Sequence, residues 1–101
     1  NIAVVNYDKK LINLYTIDRE FVRDVKLRDG KPPRGVRLVM DSCVLVSNNC
    51  TGSVTKYQTD GSGGAVWRCT RLQGASALDV NEWGLIYVCG NSKIHLLSPE
   101  G

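Results

Sequence analysis

A single histidine stands among these 101 residues, and that scarcity removes much of catalytic chemistry at the outset. Nucleophilic catalysis needs a base held beside the nucleophile. His95 instead falls inside the apolar run Ile94-His95-Leu96-Leu97, where it reads as an ordinary strand residue. No C-x-x-C occurs: Cys43, Cys50, Cys69 and Cys89 are scattered, and His95 has no ligand-like spacing to any of them. Neither a metal nor a cofactor is therefore expected, and no catalytic residue can be nominated. No run approaches the roughly 18 apolar residues of a membrane helix, so no membrane association is expected. A basic start followed by an apolar stretch is missing too, which leaves no visible signal peptide. The chain opens on Asn1 rather than Met, and the natural N-terminus is expected upstream. Helical periodicity is not sustained for three turns in any segment.

The four cysteines allow three disulfide pairings. Their places in strands or at strand edges suit free thiols, buried or half-buried, and a reducing, cytoplasmic setting is the expectation. Asn49-Cys50-Thr51 is a formal N-glycosylation acceptor that has meaning only in a secretory context. Gly61-Ser62-Gly63-Gly64 invites a phosphate-loop reading. Such loops need a helix after them, and the strand-like AVWRCTRL follows instead, so a hairpin loop is expected.

What is present is β-structure. Short runs rich in Val, Ile, Leu, Tyr and Thr alternate with turn residues, which is the strand signal. Strands are expected near 2–6, 11–17, 21–27, 35–40, 43–48, 53–59, 65–72, 75–80, 85–90 and 93–98. The runs repeat. VRLVMDSCVLVSN (36–48) lies over LDVNEWGLIYVCG (78–90) at a shift of 42, pairing Val36 with Leu78 and Val46 with Val88. LINLYTIDR lies over SVTKYQTDG at the same shift, pairing Tyr15 with Tyr57 and Asp18 with Asp60. SVTKYQTDG in turn lies over KIHLLSPEG at a shift of 40, because the loop from Asn49 to Gly52 is two residues longer. Four strands per repeat of about 42 residues is the arithmetic of a β-propeller blade.

The last 27 residues resemble an NHL repeat: Leu78-Asp79-Val80, Gly84, Ile86-Tyr87-Val88, Asn91, Ile94, Pro99 and Gly101 carry the match. The middle copy fits more loosely, with Arg37 in place of the Asp and Leu45 in place of the Tyr. The resemblance implies an all-β fold of about two and a half four-stranded blades. Residues 1–33 would supply the last three strands of one blade, 34–74 a complete blade, and 75–101 the first three strands of another. Closed propellers use four to eight blades, so further blades or another chain would complete this one, and the isolated chain is expected to associate or partly unfold.

The resemblance also implies a non-enzymatic interaction module, as in the C-terminal domains of tripartite-motif-like proteins, where it would select a substrate for ubiquitin transfer by regions elsewhere. A protein partner is the first expectation and RNA the second. The alternative is a fragment of a metal-dependent propeller hydrolase or lactonase, whose axial metal takes carboxylate and Asn ligands from several blades. Asp79 and Asn81 could contribute to such a site, but Arg37 and Val39 at the equivalent places cannot ligate.

Charge is the uneven feature. Between Arg19 and Arg37 seven bases face three acids, a local +4 against +3 for the whole chain. In the strand expected over 21–27, alternation puts Phe21, Val25 and Leu27 on one face with Arg23, and Val22, Asp24, Lys26 and Arg28 on the other. Such mixed signs suit a solvated outer strand. The functional reading is a basic face for phosphate or an acidic partner, with Arg28, Lys31, Arg34 and Arg37 as candidates. Trp83, in the turn before the strand at 85–90, is the candidate anchor for a protein partner.

Overall fold

The computed structural model describes residues 1–28, 30–39 and 42–101. Ten strands run in chain order: β1 (Ile2–Asn6), β2 (Leu11–Tyr15), β3 (Phe21–Lys26), β4 (Gly35–Val39), β5 (Cys43–Asn48), β6 (Ser53–Gln58), β7 (Ala65–Cys69), β8 (Leu78–Val80), β9 (Ile86–Cys89) and β10 (Ile94–Leu97). No helix occurs among the described residues. The expected strand end at Met40, the turn residue Asp41 and the loop acid Asp29 lie outside the described residues. The strands form three antiparallel sheets with neighbours paired in chain order: β1-β2-β3, β4-β5-β6-β7 and β8-β9-β10.

Pairing register repeats with the sequence. Val4 pairs with Asn13, and 42 residues on Val46 pairs with Thr55. Val36 pairs with Val46, and 42 residues on Leu78 pairs with Val88. Even the irregularity recurs: the β2–β3 ladder shifts register between Leu14 and Tyr15, and the β6–β7 ladder between Lys56 and Tyr57, again 42 apart. A bulge twists and bends its strand, so the two outer strands are turned in the same way. It also corrects the alternation expected for β3. Phe21 pairs with Tyr15 while Arg23 pairs with Leu14, so two β3 steps match one β2 step. Phe21 thereby leaves the side of Val25; its ring meets Tyr15 edge-on at 5.8 Å and stays exposed.

Strand ends are trimmed by turns that take over backbone hydrogen bonds. Expected to reach residue 17, β2 stops at Tyr15, because Arg19 N–H donates to Thr16 O and Thr16 N–H to Glu20 O. Expected from residue 75, β8 begins only at Leu78, because Ala75 N–H closes a turn onto Leu72 O.

The middle sheet is buried on both faces, and every residue of β5 is buried. One face, Val44, Val46 and Tyr57, packs on Ile12, Leu14 and Val25 of the first sheet. The other, Leu45 and Val54, packs on Ile86 and Val88 of the third, with Leu72 and Ala75 from the connection 70–77. Fully burying one such side chain stabilises by about 1.5–3 kcal/mol, so the stacking of sheets supplies the core. A polar staple joins the second and third sheets: the buried Ser47 hydroxyl accepts from Gly35 N–H at 2.9 Å and donates to Ser76 O.

No disulfide joins the four cysteines: Cys43 is buried, Cys69 half-buried, and Cys50 and Cys89 exposed. Thiol titration under denaturing, non-reducing conditions is expected to count all four. A deficit matched by an intramolecular crosslink in the mass spectrum would contradict this arrangement.

Candidate functional site

In an antiparallel meander successive connections alternate between the two ends of the sheet. The inner strands β4 and β8 lie side by side and run the same way. Arg34–Val36 border Ser76–Leu78 at their start, and Val39 borders Val80–Gly84 at their finish. The connections 7–10, 27–34, 49–52, 70–77 and 90–93 therefore share one end of the stack. The connections 16–20, 59–64 and 81–85, with the tail 98–101, share the other.

Charge is sorted by this topology. The first end carries Lys9, Lys10, Arg28, Lys31, Arg34, Arg71 and Lys93, all exposed, against Asp8 alone among the described residues. The second carries Asp18, Glu20, Asp60, Glu82 and Glu100 against Arg19, with the guanidinium of Arg23 from β3 reaching the 59–64 loop beside Asp60. At the second end the Ser62 hydroxyl, followed by its backbone N–H, holds the Asp60 carboxyl below its ordinary value. A carboxyl lowered in the folded state contributes stability above its ordinary range, and that contribution is lost as pH falls through the lowered value.

Local structure holds the cations outward at the first end. Pro33 is fully buried and pins its connection to the sheet, leaving Lys31 and Arg34 on either side exposed. Arg28 N–H donates to the buried Tyr57 hydroxyl at 3.2 Å, and Arg34 N–H to Ser47 O at 2.8 Å. In the turn 7–10, Asn6 Oδ1 accepts Lys9 N–H, and Lys10 takes the left-handed conformation at φ 58° that closes it. Beside these two lysines Tyr7 is 60% exposed. Arg71 lines an open depression of about 530 Å³ between the turn 49–52, the segment 70–74 and Asn91.

The sequence candidates are thus divided. Arg28, Lys31 and Arg34 lie on one connection at the basic end. Arg37 lies within β4, its Nη2 3.2 Å from Asp79 Oδ1, and with both groups more than half exposed the pair is worth little in stability. Trp83, 75% exposed, sits at the opposite, acidic end. Its turn is held by Asn81 Oδ1, which accepts from Trp83 N–H and Leu85 N–H. Beneath it a cleft of about 330 Å³ opens between the second and third sheets, walled by Val39, Leu45, Val80 and Ile86, with Lys56 and Glu82 also lining it. Reading along the chain missed Lys9, Lys10, Arg71, Lys93 and Tyr7, which are far apart in sequence; the repeat register, applied to each connecting turn, is the signal that collects them.

Asp79 and Asn81 are engaged otherwise than a metal site requires. A guanidinium beside Asp79 repels a cation, and the Asn81 oxygen already organises its own turn. No cluster of three ligating side chains occurs among the described residues, and no described helix is long and apolar enough to cross a membrane.

The chain is an all-β protein of three antiparallel sheets, one of its loop ends basic and the other acidic. No protein-family model matches it, and no curated protein matches it significantly.

Proposed function

We propose that this chain is a non-enzymatic interaction module, part of an NHL-like β-propeller, that holds an anionic partner on its basic loop end. The observation that carries the reading is the gathering of seven exposed cations onto one end of the stack. A field of one sign at one end steers an oppositely charged chain and concentrates it there. Recurrence of the same register and the same bulge at 42 residues supports the blade reading, and the tripartite-motif role in substrate selection follows from the resemblance alone. Tyr7 beside Lys9 and Lys10 favours RNA over a purely acidic protein, because an exposed aromatic next to cations offers a base a stacking platform. The hydrolase alternative is disfavoured by Arg37 at Asp79.

Fluorescence anisotropy of a labelled unstructured RNA, titrated at several salt concentrations, tests the proposal. The logarithm of the affinity should fall with the logarithm of salt by about 0.7 per neutralised phosphate. Affinity indifferent to salt, or a polyglutamate peptide binding as well as RNA, would count against nucleic acid.

The Trp83 cleft favours a second contact, with protein, at the acidic end. Trp83→Ala is expected to change folding stability by no more than about 0.5 kcal/mol, since the side chain is mostly solvated. It should leave RNA affinity within about twofold while depleting bound proteins in a quantitative pull-down, as loss of an aromatic anchor does. Unchanged capture by the variant would remove Trp83 from the partner surface.

A further inference from the structure

The two outermost sheet faces repeat, position by position, faces that are buried inside the stack. On the third sheet Tyr87 and Ile94 occupy the places of Leu45 and Val54, the residues with which the second sheet covers the third. Leu45 and Val54 are 1% and 0% exposed, whereas Tyr87 is 41%, Ile94 72% and the adjoining Leu96 60% exposed. On the first sheet Ile2 and Val4 occupy the places of Val44 and Val46, with which the second sheet covers the first. Here too the equivalents inside are 0% and 4% exposed, against 42% and 44% outside. The outer face of the third sheet is thus built to receive a sheet presenting Ile2 and Val4, and the outer face of the first to be received by one presenting Tyr87 and Ile94.

We infer that this chain associates head to tail with a second copy of itself, the third sheet of one copy covering the first sheet of the other. The contact continues an interface that the molecule already makes twice within itself, so its register and its polarity are specified. A heterologous contact of this kind closes into a ring when the rotation permits and otherwise runs on as a filament. Two copies bring six sheets, inside the range of four to eight over which stacked sheets close. Ring closure rests on the propeller reading; the face-to-face contact does not.

Sedimentation of the 101-residue chain at about 100 μM is expected to give a closed dimer, in an affinity range ordinary for an interface of a few apolar anchors. Val4→Lys and Tyr87→Lys each place a charge at an exposed position whose counterpart inside the stack is buried and apolar, so the fold should persist by circular dichroism while each variant alone dissociates by tenfold or more. Mixing the two variants should restore a one-to-one heterodimer, because one unaltered third-sheet face then meets one unaltered first-sheet face. A monomeric wild type, or variants that stay monomeric when mixed, would overturn the inference. An open concentration-dependent polymer that the mixture caps at two would keep the contact and refute the ring. RNA affinity is measured separately on the same variants, whose substitutions lie away from the basic loops, so failure of association and failure of the binding reading are read independently.

Discussion

Reversing Arg28, Lys31 and Arg34 to Glu together is expected to lower affinity for single-stranded RNA by on the order of 100-fold at about 0.1 M salt, with a shallower salt slope. All three are exposed on one connection, between the buried Val25 and the start of β4. Contacts to phosphate position a strand without reading it, so every RNA sequence should weaken alike. Arg19→Glu is the control. Arg19 lies at the opposite end, beyond a five-residue strand of roughly 16 Å, whereas charges are screened over about 8–10 Å in physiological salt. Its reversal should leave affinity nearly unchanged. Tyr7→Ala should cost about tenfold without altering the salt slope, because a lost stack carries no counterion release. Unchanged RNA retention after the triple reversal, with protein capture lost in Trp83→Ala, would end the nucleic-acid reading and leave the protein one standing.

Gly35→Ala is expected to be among the most destabilising single changes in the chain, by about 1–3 kcal/mol, a fall of roughly 10–20 °C in Tm at the upper end for a domain of this size. A methyl group on Gly35 would come within 2.5 Å of Ser76 O and 2.9 Å of Ser47 Oγ. Neither neighbour can move freely, since Ser47 is buried and holds Gly35 N–H and Ser76 O together. The second and third sheets would have to part where they are stapled. Ser47→Ala tests the same joint from the other side and should cost about 1–3 kcal/mol by leaving the part-buried Gly35 N–H and Ser76 O without this partner. Thermal melts of both variants are the measurement. A Gly35→Ala protein as stable as the wild type would mean that the joint yields without loss.

Strands were legible because their alternation is local: a period of two survives in any six residues, and all ten expected strands are found, two with both ends as expected and none with an end moved by more than three residues. Those ends depended on turn hydrogen bonds, such as Ala75 onto Leu72, that propensity does not encode. Repetition told more than composition, since the shifts of 42 and 40 read in the letters are those of the pairing registers. The face of Phe21 was misjudged because a bulge adds one residue to the count and alternation alone has no sign of it. Charge was harder still. Arg19 to Arg37 looked like one basic segment, yet the meander carries Arg19 to one end and Arg28 to Arg34 to the other, and Arg37 meets an acid 42 residues away.

β5 has solvent on neither side, while its counterparts 42 residues away in each direction, β1 and β9, have it on one. The same substitution is therefore not equivalent in the three places. A polar replacement along β5 strands its group in the interior wherever it falls, so that strand is confined to apolar residues and to the paired Ser47 and Asn48. On β9 the exposed Tyr87 and Cys89 stand where β5 keeps the buried Leu45 and Ser47. A side chain that β1 or β9 carries in the open would therefore be out of place at the matching position of β5, and the three sheets are not interchangeable within this chain.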